Sequence, residues 1–278
     1  MKKVLTSLAL ISVVSTSAVF AKGAPTIAPA PAKKTAKAEP VKKIAPKFDQ
    51  TTLKGQILSG FYHLGNDKDS KAILKKKVIK AGGDAVPALV EVMKKDIYPD
   101  NSRWLATMML GRVMGKKGAA YIARFMEHPS WVLRMASLKT LLALNAKEYG
   151  GYFAKLLKDS SFIVRHQALE NIRLLGLNQY APHVWSMLYD KKNYYESKKS
   201  KSVKRTNIIK NVVTAVGDLK FEKASDPLFK MIQKDRYEDM FHEIEYSLEQ
   251  ITGKKSPKGD RKIKRRFWKK QSTAALTL

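Results

Sequence analysis

No cysteine occurs in the 278 residues, so disulfides and thiolate chemistry are both excluded and the fold has to be held by packing. Acids are also few. Against 24 Asp and Glu stand 53 Lys and Arg, a formal net charge of +29. Long apolar runs are nearly absent, and catalytic signatures are missing as well. The five histidines, His63, His128, His166, His183 and His242, are scattered, and no His-Glu-x-x-His spacing is present. Gly-x-Ser-x-Gly and Ser-x-x-Lys do not occur. Gly111 to Lys117 approximates a phosphate loop, but it lacks the four-residue gap and the Ser/Thr and follows a helical pattern, so it reads as a helix end. Glu243 and Glu245 lie two apart, on different sides of a helix. These absences predict a protein that is not an enzyme and uses no cofactor or metal.

The one apolar run that stands out is Val4 to Val14, after Met1-Lys2-Lys3 and before Ala18-Val19-Phe20-Ala21. A charged start, an apolar stretch and small residues three and one before a cut after Ala21 describe a bacterial secretory signal peptide, residues 1–21. The run is shorter than the ~20 residues of a bilayer span and is followed by no cysteine for acylation. No transmembrane segment is expected in the mature chain, which would be periplasmic or secreted. Loss of Lys2 and Lys3 takes the charge from +29 to +27. A field of that size favours anionic partners, and outside the cytoplasm these include acidic proteins and envelope phosphates. Residues 22–50 mix Pro, Ala and Lys without helical or strand period, as a linker does.

From Thr51 onward, apolar residues recur at helical spacing in paired segments. Arg103, Arg134 and Arg165 follow one another at intervals of 31, and Ser130-Trp131-Val132-Leu133-Arg134 lies over Ser161-Phe162-Ile163-Val164-Arg165. A fixed period near 30 with two helical patterns per period means stacked hairpins, because one hairpin cannot bury its own apolar face. The prediction is an all-α, right-handed α-solenoid of about five to six hairpins over 51–253, followed by a basic tail, 254–278.

At Trp131 to Leu144 and Phe162 to Leu175 the chain resembles the HEAT-repeat family, in particular short bacterial repeats of the phycobilin-lyase-like kind. The resemblance covers about 85–253. It implies an Asp closing the first helix and an Arg six residues later opening the second, with Asp–Arg hydrogen bonds running as a ladder between repeats. Asp159 and Arg165 match that spacing, whereas His128 replaces the Asp before Arg134 and Asp96 is seven before Arg103. Leu248 to Gly253, Gly259-Asp260 and Trp268 resemble the family's closing segment, with Trp268 packed back on the last helix. Asp159, Arg165, Arg134, Arg103 and Trp268 are therefore candidates for structural roles.

The column Arg103, Arg134, Arg165 and Arg205 either holds neighbouring turns or grips phosphates. From Arg165 to Arg205 is 40 residues, nine more than 31, and the excess falls in a Lys/Tyr-rich insertion. Insertions in repeat proteins project from one face and often carry binding. Lys191, Lys192, Tyr194, Tyr195, Lys198, Lys199, Lys201, Lys204 and Arg205 are accordingly candidate partner-binding residues, with a solvated loop as the alternative. Lys254 to Lys270 holds ten Lys/Arg and one acid, so Arg261, Lys262, Lys264, Arg265 and Arg266 are candidates too. Two readings of this tail are open: an anion-binding arm, or a cap on the acidic last repeat with Asp235, Glu238, Asp239, Glu243, Glu245 and Glu249. The expected function is an exported scaffold for an acidic protein partner. The alternative is a binder of anionic polymers, either envelope phosphates or, less readily in an exported chain, nucleic acid. N-terminal sequencing of the protein exported from a bacterial host should begin at Lys22, and an intact Met1 in the cytoplasmic fraction would contradict the export reading.

Overall fold

A computed structural model describes residues 46–65, 67–196, 203–205 and 207–275. The signal peptide, nearly all of the 22–50 linker, and Lys198, Lys199 and Lys201 lie outside them. Helices come in pairs: α1 (Leu53–Tyr62) with α2 (Lys68–Ala81), α3 (Val86–Lys94) with α4 (Asp100–Met114), and α5 (Ala119–Ala123) with α6 (Trp131–Ala143). Then follow α7 (Gly150–Leu156) with α8 (Phe162–Leu174), α9 (Ala181–Ser186) with α10 (Asn207–Asp218), α11 (Ser225–Ile232) with α12 (Phe241–Thr252), and finally α13 (Arg261–Ala275). The molecule is a helical solenoid. Among the described residues no helix is long and apolar enough to cross a membrane.

Local chemistry explains where the helices start and stop. The Thr52 side chain accepts the Gly55 N–H and that of Asp67 accepts the Asp69 and Ser70 N–H groups, so α1 and α2 open on satisfied donors. Pro87 and Pro182 stand in the first turns of α3 and α9, where a missing N–H costs little. Asn145 and Gly176, 31 apart, end α6 and α8 with φ of 51° and 63°, so the repeat also fixes the left-handed exit from each second helix.

The second helices α4, α6, α8, α10 and α12 pack in one row, each first helix covering its partner. Leu138 and Leu169, equivalent in the repeat, are both fully buried. Within this apolar core, buried polar side chains tie three of the layers to the one before. Ser102 Oγ donates to the Phe61 carbonyl (2.6 Å), Asn171 Nδ2 to that of Leu138 (2.8 Å) and Ser247 Oγ to that of Val213 (2.6 Å). Gly217 makes the α10–α12 approach possible, since a Cβ there would stand 2.7 Å from the Ser247 Cα.

The insertion departs from the loop expected of it. Its ends form an antiparallel pair, β1 (Tyr194–Glu196) and β2 (Val203–Arg205), with Tyr195 opposite Lys204 and Tyr194 opposite Arg205. Arg205 therefore leaves the arginine column. Arg103, Arg134 and Arg165 are each the fourth residue of a helix, and in α10 that place belongs to Lys210. The insertion shifted the register, so counting arginines reached a strand residue.

The tail closes the stack. α13 packs on α11, and its Trp268 is fully buried, with Nε1 donating to Ser256 Oγ at 3.0 Å and its ring centroid 6.0 Å from that of Phe229. Gln233 Nε2 donates to the Arg265 carbonyl from below (3.0 Å). Replacing a buried tryptophan with alanine removes its transfer energy and leaves a cavity. Trp268→Ala should lower the unfolding free energy by about 3–5 kcal/mol in a urea titration. A loss below about 1 kcal/mol would show that the last pair does not depend on its cap.

Candidate functional site

The arginine column is inward and occupied. Arg134 makes a two-point contact with Asp159, Nε to Oδ2 at 2.7 Å and Nη2 to Oδ1 at 2.8 Å, while Nη1 donates to the His128 and Pro129 carbonyls. Arg165 uses Nη1 on the Asp159 and Ser160 carbonyls, then reaches forward with Nε to Asn193 Oδ1 (2.9 Å) and Nη2 to the Lys192 carbonyl (2.9 Å). Arg103 donates to the Met93 carbonyl, pairs with Asp96 at 3.0 Å and meets His128 Nε2 at 3.2 Å. Each guanidinium thus serves its own turn and the next one. The forward partner stands 25 residues ahead in two cases, His128 for Arg103 and Asp159 for Arg134; for Arg165 that place is Asp190, which caps Lys192 N–H instead and cedes the arginine to Asn193. These arginines are committed to the fold and offer no phosphate grip.

The first opening on the second-helix row lies between α2, α4 and α6. It is a groove of about 430 Å³ floored by Leu105, Met108, Met109, Ala143 and Leu144, with Lys75 and Arg112 at its rim. Close helix approach shapes it: at Gly111 a Cβ would stand 2.2 Å from Thr140 Cγ2. Lys75 and Arg112 are exposed, and among the described residues neither has a carboxylate partner. No sequence motif announced this site, because its residues come from three helices and none is unusual alone. Further along the row the polar groups satisfy each other. Arg173 bridges Glu170 (2.6 Å) and Asp218 (3.1 Å), and the Tyr246 hydroxyl donates to Asp218 at 2.5 Å, which pushes the phenol pKa up.

The basic candidates divide. Arg261 pairs with Glu238, Arg265 with Asp235 (2.7 Å) and Glu238 (2.6 Å), and Lys264 Nζ donates to Glu245 Oε2 (3.1 Å). Lys262 and Arg266 face outward without such partners. In the insertion, Lys191 is exposed, Lys192 Nζ donates to the Lys158 carbonyl (3.3 Å), and the half-buried Tyr194 donates its hydroxyl to the Leu188 carbonyl (2.5 Å). Tyr195 is 62% exposed, and Lys204 and Arg205 are placed by their backbone in β2. Among the described residues no group of three or more His, Asp or Glu is placed to hold a metal ion.

No protein-family model matches the chain, and no curated protein matches it. Among solved structures it is similar to the complex of CpcE and CpcF of phycocyanin lyase from Nostoc sp. PCC7120. The identity is 14% and the TM-score 0.38, over 84% of this chain and 98% of that chain. This comparison corrects the expectation that the protein is not an enzyme, since the similar structure is that of a lyase. The physical reason is that groups meeting across a helical stack come from different repeats, so a missing linear motif excludes no activity. The likeness itself assigns none.

His128 is the weak rung of the ladder. Ser130 N–H points at its Nδ1 (3.0 Å) while Arg103 points at Nε2 (3.2 Å), yet a neutral imidazole has one lone-pair nitrogen and accepts from only one of them. Asp159 accepts from both corresponding donors, Ser161 N–H (2.8 Å) and Arg134. Burial, and after it the Arg103 charge, holds the His128 pKa below its ordinary 6.5. The unfolded chain therefore binds the proton more readily, and stability falls as pH drops through 6.5 and below. His128→Asp should raise stability by about 1 kcal/mol near neutral pH and reduce the loss on acidification to about pH 5.5. Urea titrations at both pH values check this; a variant no more stable than the parent at either would refute the rung assignment.

Proposed function

We propose that the chain is an exported helical-repeat scaffold that holds an acidic, amphipathic segment of a protein partner in the groove between α2, α4 and α6. The observation that carries this reading is the pairing of an apolar floor, Leu105, Met108 and Met109, with two rim cations, Lys75 and Arg112, that have no carboxylate partner among the described residues. Apolar side chains of a helix laid in such a groove supply affinity, and complementary charge supplies rate and selectivity. Methionines suit the floor because their flexible thioethers repack around different shapes. The wider positive charge, +29 for the full sequence and +27 without Lys2 and Lys3, points the same way, since it draws acidic partners from a distance. A second reading, attachment to phosphate-bearing envelope surfaces, is favoured by the outward cations of α13.

A labelled amphipathic peptide with leucines on one face and glutamates on the other is a direct probe, with a lysine-for-glutamate version as control. The glutamate peptide should bind the protein and the lysine peptide should not. Arg112→Glu with Lys75→Glu should weaken binding at least tenfold, about 1.4 kcal/mol, by fluorescence anisotropy, with little change in thermal stability because both side chains are exposed. Equal binding of the two peptides, or no effect of the charge reversals, would contradict the groove as the site.

A further inference from the structure

The tail was posed as either a cap or an arm, but α13 has two faces and the structure uses one of them. At about 3.6 residues per turn, Arg261, Lys264, Arg265 and Trp268 share one side of the helix. That side meets the last helix pair: Trp268 is buried, Arg261 and Arg265 lie over the Phe241 ring at 5.2 and 5.9 Å, and the three cations pair with Glu238, Glu245 and Asp235. Lys262, Arg266, Lys269 and Lys270 follow at steps of four, three and one, and at about 100° per residue this spacing sets them within an arc of about 100° turned away from the inward face. All four are exposed, and none has an acidic partner among the described residues. They span nine residues, a row about 12 Å long from first to last. Ile263, 43% exposed, stands at its edge.

We infer that this outward row of α13, Lys262, Arg266, Lys269 and Lys270, is a docking face for an anionic phospholipid surface. The inward face makes this possible: ion pairs and Trp268 hold the helix along its length, so the four cations form a preordered flat row and binding orders no free tail. The aromatic side chains of the helix, Phe267 and Trp268, pack inward or against each other at 4.9 Å, so no stacking platform for bases is presented, and a helix anchored on one side offers no groove to track a nucleic-acid strand. A planar sheet of headgroups suits a flat cationic row, with Ile263 at the level of the headgroups. Asp235, Glu238 and Glu245 of the last pair are taken by the inward cations, which limits how far they offset the field of the outward ones.

The test uses the full chain and vesicles of three parts phosphatidylcholine to one part phosphatidylglycerol, with pure phosphatidylcholine vesicles, a DNA duplex and inorganic phosphate as comparison arms. The parent should bind the anionic vesicles far more tightly than the neutral ones. Each surface-proximal cation contributes about fivefold, so changing Lys262, Arg266, Lys269 and Lys270 to Gln together should weaken anionic-vesicle binding about 600-fold and leave the melting temperature unchanged. Changing Arg261 and Arg265 to Gln should instead lower the melting temperature, and the groove variant Arg112→Glu should keep vesicle binding, which separates this face from the groove. Val4 to Val14 is common to all variants and cannot produce the difference between them. As a second readout, anionic vesicles should protect Lys262, Lys269 and Lys270 from acetylation and leave Lys116 and Lys117 reactive. The inference is overturned if the fourfold variant binds vesicles as the parent does, if the duplex binds while vesicles do not, if millimolar phosphate displaces the vesicles fully, or if the three lysines are not protected.

Discussion

The buried guanidinium that joins one helix pair to the next is the constraint on which the rest of the structure depends. Arg103, Arg134 and Arg165 stand fourth in α4, α6 and α8, each nearly out of water, and a charge so placed is tolerated only when its donors are satisfied. Carbonyls of the arginine's own turn take one part of the fork, and an acceptor on the following turn takes the other. A displaced neighbouring pair would strand the charge, so the fork fixes the register of stacking. Apolar burial drives the pairs together; the arginines decide how they sit. Ser102, Asn171 and Ser247 act in the same sense where one pair touches the pair before it.

That arrangement also decides which positive charge is left for partners. Three arginines are withdrawn into the stack, and the acid-rich last pair withdraws Arg261, Lys264 and Arg265. Exposed ion pairs contribute only ~0–1 kcal/mol each, so the charges on the inner face of α13 orient it, while Trp268 supplies most of the holding energy. Among the described residues, two sets of cations without acidic partners stand out by their setting, those at the rim of the α2–α4–α6 groove and those on the outer face of α13. One chain thereby presents an apolar site with a cationic border and a cationic face with little apolar surface. Those are different chemistries, suited to different partners.

The helical pairs were legible because apolar residues must face the core at helical spacing, and the arginine period was legible because each repeat needs the same bridge. The partners of those arginines were harder to read. The spacing of six from Asp159 to Arg165 marked the motif and an Asp–Arg ladder between repeats was expected, but which arginine each Asp serves was open: the Asp159 carboxylate takes Arg134 of the preceding pair, and Arg165 takes the Asp159 carbonyl. The bridge spans 25 residues, a distance no local pattern carries. Arg205 was misplaced for a related reason: an insertion breaks the count, and only strand pairing shows where the helix resumes. The groove was invisible, since Lys75, Met108 and Thr140 look like ordinary helix residues until three helices bring them together.

The sequence by itself determined the class of fold and the period of the stack, because burial of apolar area and satisfaction of helix ends act within one or two turns of chain. It also determined the excess of positive charge. The tertiary structure alone decided which cations face inward and which face water, because that depends on acids brought close from distant residues, as Asp235 and Glu238 are to Arg265. It alone decided that the tail could be a cap on one face and remain free on the other. A helix shows its two faces in sequence, but which of them meets the core is settled only when Trp268 finds Phe229 and Ser256.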